Sequence, residues 1–182
     1  MMSIALLAGC SGREGGDAPG QEGSSREDKG AVEAKVEIPN ACTFFSQAEL
    51  ESTVGWELRE GKPANSPQES SCRFEILPGM YVKRKYPNPA LPQSMRFTSL
   101  TVTTYPSKAG DFAEMRRLTG VETPAGVGDD AFFLGGPDFL HVRVVNRGFS
   151  VRINTDAASE ADRAKLHEVV LGLGKLGASR LR

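Results

Sequence analysis

Two histidines, three cysteines and one glycine-rich turn are the features of this 182-residue chain whose types and spacing could carry chemistry. Gly126-Val127-Gly128-Asp129-Asp130-Ala131 matches by letter a dinucleotide-binding turn, in which backbone N–H groups face a pyrophosphate. That use needs a strand before the turn and a helix N-terminus after it. Here Pro124 precedes the turn and Ala131-Phe132-Phe133-Leu134 reads as a strand. The glycines are therefore expected to shape a tight turn, with Asp129 and Asp130 bonding to local backbone. His141 shares a strand face with Arg143, opposite Leu140 and Val142, and is expected on the solvent side. His167 falls beside Arg163 on the polar side of a helix, where solvation is the default. The two are not at ligand spacing, and no Cys or acidic cluster completes a metal site. No nucleophile elbow accompanies either, which argues against a Ser-His-Asp hydrolase. Asp111, Glu114, Asp129, Asp130 and Asp138 could meet in space, but their spacing gives no reason for a carboxylate pair. No catalytic residue, metal ligand or cofactor is assigned.

Cys42 lies just ahead of the first helix, and Cys72 sits on the inward face of a strand. They read as a structural disulfide closing about 30 residues, which contributes about 3–4 kcal/mol through loop closure. Two buried free thiols or a redox pair are the alternatives, although redox cysteines normally sit closer, as Cys-x-x-Cys. The segment Tyr81-Val82-Lys83-Arg84-Lys85-Tyr86 is the one candidate binding surface. Its Tyr81, Lys83, Arg84, Lys85 and Tyr86 could grip anionic headgroups, a polymer or a partner protein. The competing reading is stronger: lysines protect an edge strand from pairing, and Pro87, Pro89 and Pro92 end it.

Three helices are expected to position these groups. Ser46-Gln47-Ala48-Glu49 is a capping box, with Phe45 placed to staple onto Leu50 and Gly55 as a left-handed stop. A second helix starts after Ser107, carries Phe112, Met115 and Leu118 inward and ends at Gly120. A third begins near Ser159 and carries Leu166, Val169, Val170 and Leu173 on its apolar face, with fraying expected at Gly172 and Gly174. Alternation places strands at Trp56–Leu58, Cys72–Ile76, Arg96–Tyr105, Ala131–Leu134 and Leu140–Val144. A last one, Phe149–Ile153, follows an Asn146-Arg147-Gly148 turn. The order predicts an α+β fold, an antiparallel sheet of about six strands covered by helices, as tandem helix-plus-three-strand units.

Lysine and arginine number 22 against 23 acidic residues, which disfavours a nucleic-acid partner bound through phosphate neutralisation. No stretch approaches the roughly 20 apolar residues of a membrane-spanning helix. Residues 11–35 contain six Gly and ten charged residues, with Val32 as the one large aliphatic side chain. Such a segment cannot offset its ordering entropy and is expected to be a disordered linker, spanning about 25–30 Å. Ahead of it, Leu7-Ala8-Gly9-Cys10 resembles a bacterial lipobox. The resemblance implies that Cys10 is acylated and becomes the new N-terminus, anchoring the chain to a membrane. No Lys or Arg precedes the short apolar run, so residues 1–9 are read as a signal-peptide remnant with its true start upstream.

The chain then reads as a lipidated cysteine and linker over 10–35 and one α+β domain over 36–182. Cys42-Thr43-Phe44-Phe45-Ser46-Gln47-Ala48-Glu49-Leu50, Cys72-Arg73-Phe74 and Gly126-Val127-Gly128-Asp129-Asp130-Ala131 together resemble small secreted lipoproteins of unknown function, best known from actinobacteria. In that layout Trp is more usual than Phe at position 74. The resemblance implies an exported, disulfide-stapled lipoprotein on the outer face of a bacterial membrane, and implies no activity. The expected function is non-enzymatic: an envelope protein that binds a partner protein or a small apolar ligand between sheet and helices. An envelope hydrolase or enzyme-accessory domain is the alternative.

Overall fold

The computed structural model describes residues 36–75, 97–119, 122–155 and 159–182. Asn40 opens the first helix, α1 (Ala41–Phe44), by accepting the Cys42 amide at 2.8 Å. Ser46 then opens α2 (Gln47–Val54) with the expected capping box: its amide donates to Glu49 Oε2 at 2.8 Å, and its hydroxyl accepts from the Glu49 amide. These bonds from Ser46, followed by those from Arg180, hold the Glu49 carboxyl down at about 2. Gly55 closes the helix at φ 81°, where a side chain would be strained.

The strand expected at Trp56–Leu58 shrinks to a single bridging residue, Leu58, beside which the Arg59 amide donates to the Glu75 carbonyl at 2.7 Å. Leu58 is buried, but its amide donates to Glu51 Oε1 at 3.0 Å and its carbonyl accepts from Gln47 Nε2 at 2.7 Å. Side chains of α2 thus satisfy Leu58's own backbone groups, while the neighbouring Arg59 amide reaches Glu75. The edge strand forms later, as β1 (Lys62–Pro63), where Pro63 has no N–H to extend it.

The remaining strands are β2 (Ser70–Glu75), β3 (Phe97–Pro106), β4 (Asp130–Phe133), β5 (Phe139–Val144) and β6 (Arg147–Thr155). They form one six-stranded antiparallel sheet in the order β1-β2-β3-β6-β5-β4. The fold is therefore α+β, two three-strand runs joined where β3 pairs β6. Alternation sends Cys72, Phe74, Leu100, Val102, Phe149, Val151, Ile153, Leu140, Val142, Ala131 and Phe133 to one face. The disulfide Cys42–Cys72 ties α1 to β2 on that face, with Cα atoms 5.0 Å apart.

The last helix, α4 (Glu160–Leu181), is capped by Ser159 and lies over the same face. It does not fray at its glycines; it continues through them to Leu181. A Cβ on Gly174 would sit 2.4 Å from Leu140 Cδ2, and one on Gly177 would sit 2.4 Å from Phe149 Cζ. The glycines are where the helix backbone meets large side chains of the sheet, and that packing outweighs their poor helix propensity. In the final turn Arg180 reaches back to the amino-terminal helices. It donates to the Phe44 carbonyl and the Glu49 carboxylate, and its guanidinium lies 5.2 Å from the Phe45 ring centre.

The hairpin between β5 and β6 turns on Val145 and Asn146, one residue earlier than the sequence suggested, with Val145 at φ 58°. A β-branched residue is strained there, and Val145 is 65% exposed, so little burial is at stake. Val145→Gly is expected to stabilise the protein by about 1 kcal/mol in urea unfolding. A loss of stability would show that this turn carries no such strain.

Candidate functional site

The sheet's second face carries the groups left after the core is built. Across it run Ser71 (β2), Thr103 (β3), Ser150 (β6), His141 (β5) and Phe132 (β4), paired strand to strand. Phe132 lies between Ala131 and Phe133, both directed to the core, so alternation turns it outward. It meets Phe112 of α3 (Ala109–Thr119) with ring centres 4.9 Å apart. One turn further along, Arg116 Nη1 pairs with Asp130 Oδ1 at 2.8 Å. The helix thus faces the sheet through Phe112 and Arg116, and not through Phe112, Met115 and Leu118 as expected. Met115 is 37% and Leu118 69% exposed. The ion pair with Asp130 gives the polar Arg116 the inward position.

His141 is not on a solvent face; it is 8% exposed. Its imidazole stacks on Phe132 at 5.0 Å with an 8° tilt, and the Phe139 ring lies 4.4 Å away. Nδ1 is 3.0 Å from the Tyr105 hydroxyl, which also lies 3.3 Å from the Phe149 carbonyl. When Tyr105 donates to that carbonyl, His141 Nδ1–H donates to Tyr105. Nε2 is buried without a hydrogen-bond partner. Burial lowers the His141 pKa from 6.5 to about 4 and pushes that of the Tyr105 phenol upward.

The imidazole is therefore neutral across the physiological range. Between pH 6.5 and about 4 the unfolded chain holds more protons than the folded one, so stability falls as pH drops through that window. The expected result is a urea midpoint that declines over this range in the native protein and declines less in His141→Gln. Equal slopes for the two would refute it.

His167 is also less solvated than expected. It stacks on Phe133 at 4.4 Å, with Nε2 3.3 Å from Glu122 Oε1. The glycine turn is a turn, as expected, and β4 follows it in place of a helix. Gly128 has φ 62°, and a Cβ there would meet the Arg143 carbonyl at 2.5 Å. Asp129 Oδ2 accepts the Val145 amide at 2.6 Å, a backbone group sixteen residues away at the β5–β6 hairpin and not the local one expected. Asp130 departs from expectation too, since its side chain pairs with Arg116 and not with local backbone. Glu114 pairs with Arg117 on its own helix.

Cys10 and the segment Tyr81, Lys83, Arg84, Lys85 and Tyr86 lie outside the described residues. Among the described residues no group of three or more His, Cys, Asp or Glu could hold a metal ion. None of the described helices is long and apolar enough to cross a membrane. The Cys42–Cys72 disulfide is consistent with an extracytoplasmic location. Sequence reasoning missed the Phe112–Phe132–His141–Tyr105 cluster, although Phe132, an aromatic at an outward position, was a signal for a second layer. No family model matches the chain, and no curated protein or solved structure is significantly similar to it.

Proposed function

We propose that this chain is an exported, lipid-anchored envelope protein that acts by binding a partner protein. The disulfide Cys42–Cys72 is the observation that carries the reading, because such bonds persist in oxidising compartments. The lipobox-like Leu7-Ala8-Gly9-Cys10 adds the anchor, and the polar segment to residue 35 the tether. Two further observations favour binding on an outer surface. A general base needs an accessible nitrogen, whereas His141 Nε2 is buried among rings. A small apolar ligand would need space beneath α4, and Leu140 and Phe149 fill that seam against Gly174 and Gly177.

Intact mass of the protein from its native host, with the upstream coding sequence restored, tests the reading. Acyl mass on a chain beginning at Cys10, with a gain of two hydrogens on reduction, is expected. An unmodified chain retaining Met1 and three free thiols overturns it. For binding, in-cell cross-linking of the anchored protein is expected to yield a discrete adduct. Turnover of an envelope substrate by the purified protein, lost in His141→Gln, overturns that part.

A further inference from the structure

The second face of the sheet is covered through a stack that ends on a titratable ring. Phe112 of α3 rests on Phe132, Phe132 lies flat against His141, and Arg116 joins the same helix to Asp130. We propose that α3 is an acid-released cover: protonation of His141 undocks it from the sheet while α1, α2 and α4 stay on the opposite face.

The surroundings of the imidazole decide the direction. From β3 it faces the Tyr105 hydroxyl, and from β6 the uncharged Ser150 beside it in register. Arg152 of β6 lies over the Phe139 ring at 5.3 Å, and Arg143 is two residues along β5. From β4 the charged neighbour is Asp130, engaged with Arg116 of α3. Asp111 precedes Phe112 on that helix and is exposed. No described carboxylate forms an ion pair with His141. An imidazolium here would be a buried cation with no ion-pair partner among the described residues and an orphaned Nε2–H, which water must reach.

Two routes to water are open. One is global unfolding, which breaks the disulfide-tied core layer. The other is departure of α3 from Phe132, the ring stacked on His141, which exposes Phe112 and Phe132 and leaves that core intact. The second disrupts far less buried surface, since Met115 and Leu118 already face outward at 37% and 69% exposure. Burial alone accounts for the depressed titration of His141, so solvating the ring removes its cause. The inference is independent of the envelope reading, because it rests on the cluster alone.

Nuclear magnetic resonance of the full chain between pH 7 and 3.5 tests it. The reporters are the His141 imidazole, the amides of Phe112 and Ala113, and the core amides of Val151 and Leu173. The α3 reporters are expected to shift with the imidazole's midpoint while the core reporters stay still. In His141→Phe they are expected to stay still as well. Movement of α3 in His141→Phe with an unchanged midpoint overturns the proposal, as does an imidazole that titrates without α3. So does α3 movement only together with the core. Should His141→Phe fail to fold, the coincidence of midpoints in the native chain and in Asp130→Asn decides the matter. An α3 midpoint that departs from that of the imidazole in either protein refutes the proposal.

Discussion

Replacing Cys42 and Cys72 together by alanine lowers the unfolding free energy by about 3–4 kcal/mol. The bond closes a 30-residue separation between α1 and β2, and most of its effect lies in the unfolded chain, which gains the freedom the loop removed. A smaller part lies in the folded state, where Cys72 is fully buried among the apolar residues of the sheet. The loss is a large share of the ~5–15 kcal/mol that a domain possesses. Urea titration of the native protein with and without reductant, beside the double variant, makes the measurement. The reduced protein and the variant should unfold at similarly lowered midpoints. A difference from the oxidised protein of less than about 1 kcal/mol would show that the bridge is incidental to stability.

The other large effect is expected where α4 meets the sheet. Phe149 is fully buried, with ring centres 5.1 Å from Phe44 and 6.3 Å from Phe45. Phe149→Ala should cost about 3–5 kcal/mol, the range for a buried aromatic truncated to a methyl. Gly177→Ala should cost about 1–3 kcal/mol for the opposite reason. Its Cβ would be 2.4 Å from Phe149 Cζ, 2.6 Å from Cε2 and 3.0 Å from Phe45 Cζ, and Phe44 limits where the ring can go. Combining the two should be strongly non-additive, because the added methyl then enters the space the ring vacated. Gly172→Ala is the control. A Cβ there meets nothing within 4 Å, and the substitution should stabilise by about 0.5–1 kcal/mol. Additive losses in the double variant would show that the ring is not what requires a glycine at position 177.

Local signals in the sequence specified local structure well. Ser46 and Glu49 marked α2, Gly55 its end and Ser159 the start of α4. Alternation on the strands separated core from second face at each aliphatic pair, and an even pair of cysteines marked the bridge. The departures share a cause: the deciding partner is distant in sequence. Arg116 turns inward because Asp130 awaits it. Gly177 is tolerated in a helix because Phe149 is opposite. His141 is buried because Phe132 and Phe139 flank it, and Phe112 of α3 covers Phe132. Leu58 is held to a single bridge, its own backbone groups satisfied by two side chains of α2. Propensity and periodicity contain no information about such neighbours. Of the sites proposed from sequence, the Cys42–Cys72 pair is formed; Cys10 and the Tyr81–Tyr86 segment fall outside the described residues.

The tie made by Arg180 to Phe44 and Glu49 joins positions 136 and 131 residues apart. A chain threaded amino end first through a translocation pore, or emerging from a ribosome, cannot make that closure until its final helical turn is free. Nor can β3 gain its partner β6 before most of the chain has passed. Joining of the two three-strand runs and the Arg180 tie therefore come late, as long-range contacts that slow folding.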